Sequence, residues 1–193
     1  MHYFIASGAI FVALVFWIIS VQRSLVGMTG NINNAMSQIG LQLSSQCELL
    51  TSLLDLTNWY AVEECRTILK TMKAGNLITK DSLPEDARKQ ERIISETKAK
   101  IIEAAEGCPD LMSDHSYIKA MEAVHQYENM VKTSMLIYND SAAKLNHDIR
   151  MFPTSMIAGI LGFSNRGCFE SVESTKNEVF SDANFYRRGK EKL

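Results

Sequence analysis

The sequence predicts an all-α protein, with a single N-terminal transmembrane helix followed by a long helical body. Three observations predict this class. The chain opens with a run of 19 uncharged residues, Tyr3–Val21. Beyond it, apolar side chains recur every three or four residues, which is the period of an amphipathic helix. Finally, no segment alternates polar and apolar residues between turn residues, as a half-buried strand would.

The composition limits the chain to one modest domain and argues against a nucleic-acid partner. The 193 residues include 20 basic and 22 acidic side chains, so the formal net charge is −2 and no excess of positive charge points to nucleic acid. The four cysteines lie 18, 43 and 60 residues apart, which matches neither a zinc site nor a dense disulfide framework. We interpret them as separate, reduced thiols.

Residues 1–22 are predicted to anchor the chain in a membrane. As a helix, Tyr3–Val21 would be roughly 28 Å long, close to the ~30 Å thickness of the hydrocarbon core of a bilayer. A cleaved signal peptide and a buried core helix are the alternatives. However, no Lys or Arg precedes the run, and Ser20-Val21-Gln22 is a poor cleavage site. Residues 23–31 would then form a juxtamembrane segment.

The orientation follows from two cues. Arg23 is the only cationic side chain within twenty residues of either end of the run, and cations favour the cytoplasmic side of a membrane. Separate cysteines also fit a reducing compartment. We therefore expect a location in the cell membrane, with the N-terminus outside and the body in the cytoplasm.

Two helices are predicted in the first half of the body. The first is indicated by apolar residues at spacings of 4, 3, 4, 7 and 4: Ile32, Met36, Ile39, Leu43, Leu50 and Leu54. A second apolar row reaches Tyr60, and the helix is expected to continue to about Lys73. The segment Asp81–Asp86 places a proline and acidic residues in a first turn, which predicts the start of a charged second helix that ends at about Glu106.

A third helix shows the clearest pattern. Asp114 can cap it, and Pro153 should end it because the residue before a proline is pushed out of helical geometry. Between them, one stripe alternates spacings of 4 and 3 over five heptads. Its members are Tyr117, Met121, Val124, Glu128, Val131, Met135, Tyr138, Ala142, Leu145, Ile149 and Phe152. We interpret the stripe as core, with an intermolecular coiled coil as the alternative.

Glu128 is the one carboxylate in this stripe. Burial without a partner would be costly, so three roles are open: a position at the edge of the bundle, a pair with a cation or an Asn, or a polar residue that fixes the register of the helices. We expect a structural role rather than a binding role.

The stretch 151–165 is uncharged and contains several large apolar residues. At ~1.5 Å per residue, the first helix would be ~63 Å long, the second would return ~33 Å, and the third would run ~57 Å in the direction of the first. The end of the third helix would then extend beyond the end of the first by roughly 25 Å. The stretch would then lie at the membrane-distal end, as a short fourth helix with Gly162 near its C-terminus or as a surface for a partner. If the first helix bends, it could instead lie in the lipid interface.

The sequence contains no pattern that predicts a catalytic residue, a metal site or a cofactor. His115, His125 and His147 lie 10 and 22 residues apart, whereas two imidazoles on one helical face need a spacing of four. No glycine pattern forms a phosphate loop, and we expect no small-molecule substrate. Gly159 and Gly162 are interpreted as close packing and a helix stop. The tail, 166–193, is expected to be mostly flexible, with contact to anionic lipid headgroups as the alternative.

Several separated motifs together resemble the LemA family of bacterial membrane proteins. They are Asn34-Ala35-Met36-Ser37-Gln38-Ile39, Cys108-Pro109-Asp110-Leu111, Glu128-Asn129, Tyr138-Asn139, Phe152-Pro153-x-x-x-Ile157-Ala158-Gly159-x-x-Gly162-Phe163, and Phe169-Glu170. The resemblance covers about residues 1 to 170. It implies a single N-terminal transmembrane helix followed by a long antiparallel four-helix bundle over residues 32–165. It implies no enzyme, since members are discussed as membrane-associated scaffolds and one relative helps to build an intracellular membrane organelle.

The chain also departs from the usual pattern of that family. Met36 stands where many relatives have Trp, and Ser44-Ser45-Gln46 and Met135-Leu136-Ile137 stand where they carry basic residues. Because charge is removed, we expect closer contact with another helix or with lipid at these positions.

We therefore expect a non-enzymatic, membrane-anchored helical scaffold that associates with itself and organises membrane or membrane proteins. The alternatives are an adaptor or regulator of a membrane protease or signalling partner, which would use 151–163 as its apolar patch, and a Cys/His-dependent enzyme. The structural or interaction candidates are Asn34, Ser37, Gln38, Glu128, Asn129, Tyr138, Asn139, Phe152, Pro153, Ile157, Gly159, Gly162 and Phe163.

Overall fold

In the computed structural model of the protein, residues 2–57, 63–75 and 78–169 are described. All regular structure in these residues is helical, which confirms the all-α class. The helices are α1 (His2–Thr57), α2 (Glu63–Ala74), α3 (Pro84–Glu106), α4 (Pro109–Met112), α5 (His115–Asp148) and α6 (Thr154–Ile160).

Helix α1 is one continuous helix that combines the expected anchor with the first core helix. Residues 23–31, expected as a separate juxtamembrane segment, are part of it. The described side chains between Tyr3 and Ser20 are exposed, whereas those from Leu25 onward alternate between buried and exposed. The predicted stripe is buried throughout, because it packs into the core: Ile32, Met36, Ile39, Leu43, Leu50 and Leu54.

The expectation of one helix from Ile32 to Lys73 is wrong. Helix α1 ends at Thr57, and α2 begins at Glu63. The Arg66 guanidinium donates to the carbonyl oxygen of Leu54 at 2.6 Å and lies 3.2 Å from the Asp55 carboxylate. Leu54 and Arg66 are twelve residues apart, and a straight helix would separate them by about 18 Å. Because they are in contact, α2 must leave the axis of α1 and run back along it. Tyr60 lies outside the described residues.

Helices α3 and α5 begin where local chemistry predicts. Pro84 is in the first turn of α3, and the Asp86 carboxylate accepts a hydrogen bond from the Leu83 N–H at 3.3 Å. The Asp114 carboxylate caps α5 by accepting from the N–H groups of Ser116 and Tyr117 at 2.6 and 3.3 Å. These bonds satisfy donors that have no partner within the helix, and they lower the pKa of Asp114, the one from Ser116 contributing most.

The packing of α5 against α1 forms most of the core. The apolar stripe of α5 is buried from Tyr117 to Leu145, apart from the carboxylate Glu128. The buried Ser134 hydroxyl bonds to the Gln42 side-chain oxygen at 3.2 Å, and Gln46 lines a cleft together with Glu128. Residue numbers therefore rise along α1 as they fall along α5, so the two helices are antiparallel.

The other helices are arranged around α1. It packs against α2, α3, α5 and α6. Lys98 of α3 pairs with Glu128 of α5, and Arg88 of α3 lies 6.0 Å from the centre of the Phe169 ring, whose backbone is bonded to Asn139 of α5. Residue numbers thus fall along α3 as they rise along α5, so the two helices are antiparallel. Helices α1 and α3 are therefore parallel to each other, and both are antiparallel to α5. The four-helix bundle stays a prediction, because α1 forms the centre of the packing rather than one member of an even ring.

Gly40 permits a close approach of the backbone at Ile78 to α1. It is buried, and a Cβ added to it would collide with the main-chain carbonyl of Ile78. The segment that leads into α3 therefore lies directly on the helix at this point. A side chain here would force the two backbones apart.

We predict that Gly40→Ala destabilises the protein by about 1–3 kcal/mol, the usual cost of overpacking a core. The matched control is Gly30→Ala in the same helix, where an added Cβ meets no atom within 4 Å. Alanine should favour the helix there by up to ~1 kcal/mol. Thermal unfolding of the full chain in detergent, followed by circular dichroism, measures both. Equal midpoints for the two variants would contradict the close approach at Gly40.

Candidate interaction surfaces

A cleft of about 770 Å³ lies between α3 and α5. Gln46 of α1 is among its lining residues, and Cys168 and Phe169 line it from the segment that follows α6. The charged residues lining it are the cations Arg88, Lys89, Arg92, Lys98 and Lys132 and the acids Glu85, Glu91 and Glu128. The cations outnumber the acids by two, so the lining carries a net positive charge.

Glu128 is bonded on both carboxylate oxygens. Lys98 Nζ donates to Oε2 at 2.7 Å from α3, and Lys132 Nζ donates to Oε1 at 3.2 Å from the next turn of α5. His125 Nδ1 is 3.7 Å away. Of the roles left open by the sequence, the pair with a cation is therefore confirmed, and it connects two helices.

The ion cluster decides the protonation state of Glu128. Burial by itself raises the pKa of this carboxyl group, but the hydrogen bond and charge of Lys98, followed by those of Lys132, outweigh burial and lower the pKa. Glu128 is therefore ionised at neutral pH. An ionised, doubly bonded carboxylate is a poor proton donor but an effective link between helices.

Two asparagines of α5 hold the segment after α6 in place. Asn139 accepts from the Phe169 N–H at 2.8 Å and donates to its carbonyl oxygen at 3.0 Å. Asn146 makes the same pair of bonds with the backbone of Arg166, both at 2.8 Å. Each side-chain amide thus replaces a peptide group of a neighbouring strand. We call residues 166–169, held in this way, the clasped segment.

Phe169 fixes the end of the clasped segment. Its ring is 4% exposed and meets Tyr138 edge-on, with ring centroids 5.0 Å apart. The Arg88 guanidinium lies 6.0 Å from the centre of the Phe169 ring, within range of a cation–π interaction. The motifs Tyr138-Asn139 and Phe169 therefore meet in space. The first four residues of the expected tail are ordered against α5, and the rest of the tail, with Glu170, lies outside the described residues.

Asn146 and Arg88 belong to this arrangement but were not predicted from the sequence. The signal for Asn146 was its position seven residues after Asn139, which places both amides on one face of a helix. No local pattern points to Arg88, because its partner is distant in the sequence.

A polar motif and several apolar residues lie on outward faces of α1 and α5. Asn34, Ser37 and Gln38 are exposed on α1, and Asn129 is exposed on α5. Leu41 is 69% exposed, and the Gln42–Ser134 bond places it level with the exposed Leu136 and Ile137 of α5. Leu41, Leu136 and Ile137 are therefore exposed apolar side chains at one level of the body.

The stretch 151–165 differs from expectation in two details. Phe152 is 79% exposed and is not part of the core stripe, because α5 ends at Asp148. A Cβ at the exposed Gly159 would meet nothing within 4 Å, so close packing is not its role. Pro153 precedes α6, and Ile157 is partly buried.

Gly162 ends α6 as expected. Its φ is +77°, a left-handed conformation that glycine adopts without strain. The Gly162 and Phe163 N–H groups donate to the carbonyls of Gly159 and Ala158 at 3.4 and 3.0 Å, which is the Schellman arrangement. Phe163 then packs against the core.

The stretch was expected at the end of the body far from the N-terminal segment of α1, and this is wrong because the expectation depended on a longer first helix. Asp148 lies fourteen residues beyond Ser134 on α5, or about 21 Å further toward the N-terminus of α1. The end of α5 therefore lies beside about Met28. Helix α6 contacts α1. It follows the end of α5, which lies close to where the exposed N-terminal segment of α1 ends.

The described residues contain no group of three or more His, Cys, Asp or Glu side chains that could hold a metal ion. All four cysteines are described, and none forms a disulfide: Cys47 and Cys65 are buried, Cys108 is half-buried and Cys168 is exposed.

Comparison with known proteins gives one family. The model of the LemA family matches residues 35–182 of the 193, which includes the cleft, both asparagines of the clasp and α6. No curated protein matches the chain significantly.

We predict that Glu128→Gln destabilises the protein at pH 7 by about 1.5–3 kcal/mol, the usual worth of hydrogen bonds to a charged group. Because folding lowers the pKa of Glu128, its contribution is complete above the ordinary carboxyl pKa of ~4.3. It is lost as the pH falls through the lower pKa of the folded state. Unfolding midpoints of both proteins across acidic pH should therefore converge.

Asp140→Asn is the matched control, because its ion pair with Lys144 has the same 2.7 Å distance but is 62–63% exposed. It should cost less than ~1 kcal/mol. A Glu128→Gln protein as stable as the wild type at pH 7 would contradict a structural role for the ion cluster.

Proposed function

For this chain, which belongs to the LemA family, we propose the function of a non-enzymatic, membrane-anchored helical scaffold. It associates with copies of itself and organises a membrane or the proteins in it. The observation that carries the proposal is the division of α1 into an exposed apolar half and a half that forms the core.

The N-terminal part of α1 meets the requirements for a membrane anchor. It is long and apolar enough to cross a bilayer, and only 6% of the residues in the most apolar stretch of α1 are buried within the protein. A core helix of a water-soluble protein would instead bury these residues. Large side chains such as Phe4, Phe11 and Phe16 are 69–85% exposed, and a lipid environment would remove them from water.

In the proposed orientation the N-terminus is outside and the body is in the cytoplasm. Arg23 follows the apolar segment directly and is exposed, which suits the cytoplasmic surface. Cys168 is exposed and forms no disulfide, as is usual in a reducing compartment.

The cleft supports a structural role better than a catalytic one. Its most central carboxylate, Glu128, is ionised and held by two lysines that are themselves only 20% exposed. Catalytic acids generally need a pKa close to the working pH, whereas this cluster shifts the pKa of Glu128 away from it. The cluster therefore fits a connection between α3 and α5.

Self-association would use the outward apolar residues of α1 and α5. Leu41, Leu136 and Ile137 are 69, 60 and 52% exposed, and they lie at one level of the body. Contact between two copies would remove them from water, and copies held in one membrane would meet at a raised local concentration. A scaffold requires contacts of this kind.

An adaptor for another membrane protein is the second candidate. The cleft favours it, because its surplus of cations could hold an acidic segment of a partner. The two functions differ in one measurable property, since a scaffold forms oligomers alone and an adaptor forms a complex only with its partner.

We predict that an impermeant maleimide labels Cys168 only after the cells are permeabilised, while the protein stays in the membrane pellet after carbonate extraction. The reason is that the thiol is exposed on a cytoplasmic body, whereas Cys47 and Cys65 are buried. Cys168→Ser is the control for labelling of Cys108. Rapid labelling in intact cells would overturn the orientation, and extraction by carbonate would overturn the anchor.

We predict that Ile137→Lys raises the dissociation constant of the self-associated protein by about 30-fold, which corresponds to ~2 kcal/mol at an interface. Sedimentation of the full chain in detergent measures it. The control is Ile118→Lys, an exposed isoleucine on the same helix, which should leave the constant unchanged. A wild-type protein that is monomeric at all concentrations would contradict the scaffold and favour the adaptor.

A further inference from the structure

We propose that α6 and the turns beside it form a second membrane contact, which lies in the anionic interface of the bilayer that α1 crosses. The inference rests on the proposed anchor, and it adds a lipid-binding surface to it. Three independent features of the structure support it: exposure, position and charge.

The exposed side chains of this region are large and apolar. Phe152, Met156 and Ile160 are 79, 64 and 84% exposed, and Met151 and Leu161 beside them are also exposed. The opposite side of α6 is held in place, because Ala158 is 2% exposed and Phe163 packs against the core. Helix α6 is therefore fixed to the body by one face and presents its other face outward.

The position of α6 is next to the end of the exposed apolar segment of α1. The antiparallel register places the end of α5 beside about Met28, and α6, which begins six residues after α5 ends, contacts α1. Val21 and Leu25 are the first side chains of α1 to become covered. If the span ends near Val21, α6 lies at the level of the lipid headgroups and the adjoining acyl chains.

The charges around this level favour an anionic surface. No charged residue occurs in 151–165, and an arginine stands on each side of the stretch, at positions 150 and 166. Both are exposed, and Arg23 of α1 is exposed at about the same level. The acid nearest to this stretch in the sequence is Asp148, which is half-buried. Arginines at the edge of an apolar surface can extend to lipid phosphates.

These features favour lipid over a protein partner. Helix α6 is short and uncharged, has a turn on either side, is bordered by cations and lies next to the proposed anchor. These properties match those of segments that lie in the membrane interface. In the proposed orientation it would meet the cytoplasmic leaflet, which carries anionic lipids. Two attachment points would also restrict the tilt of the body relative to the bilayer.

The test uses the full chain in vesicles of phosphatidylcholine and phosphatidylglycerol in equal parts. A fluorescent NBD group is attached to one cysteine, introduced as Ile160→Cys, Ile118→Cys or Val12→Cys. Cys108→Ser and Cys168→Ser remove the accessible native thiols. Ile160, Ile118 and Val12 are all exposed, and Ile118 lies near the start of α5, far from α6.

Nitroxide-labelled lipids should quench the probes at positions 160 and 12 at least twofold more than the probe at position 118. Arg150→Glu should reduce the quenching at position 160 and leave that at position 12 unchanged. Replacing phosphatidylglycerol by phosphatidylcholine should have the same effect.

Three results would overturn the inference. Quenching at position 12 with none at position 160 would show that the anchor is right and the second contact is wrong. Absence of quenching at position 12 would remove the anchor and with it the inference. A probe at position 160 that is shielded from aqueous iodide but not quenched by lipid would show that a protein, not lipid, covers α6.

Discussion

The buried apolar stripe on the second half of α1 and the stripe of α5 belong to one core, and the buried bond between Gln42 and Ser134 fixes their register. This contact sets the position of the other elements. It places Glu128 where Lys98 of α3 can reach it, and it brings the end of α5 to the level at which the exposed segment of α1 ends. A register shifted by one turn would separate these groups by about 5 Å.

Local chemistry predicted the starts of the helices, because the information lies within a few residues. Pro84 and Asp86 marked α3, Asp114 marked α5, and the heptad stripe gave the buried face of α5. The change of direction between α1 and α2 was not predicted, since the apolar period continues through it and only a tertiary contact, Arg66 with Leu54, reveals it. The position of 151–165 was misplaced for the same reason.

The candidate surfaces were likewise predictable from the sequence only in part. The pairing of Glu128 was among the expected roles, because a buried carboxylate requires a partner. Its particular partners, and the clasp of Asn139 on Phe169, depend on residues 30 positions apart in each case. A single sequence displays the donors and acceptors but not which of them meet. Phe152 continued the stripe by spacing alone, yet the helix had already ended.

Helix α1 runs without a break from its apolar N-terminal segment into the core. The rotation of the body about the helix axis is therefore coupled to the rotation of the apolar segment. Each residue of an α-helix turns the chain by about 100°, and residues 22–31 contain no break in the helix. Deleting one residue there would turn the body by that angle about the helix axis, whereas deleting seven would nearly restore its original facing. The number of residues in this stretch, more than their identity, thus determines which way the body faces relative to the apolar segment.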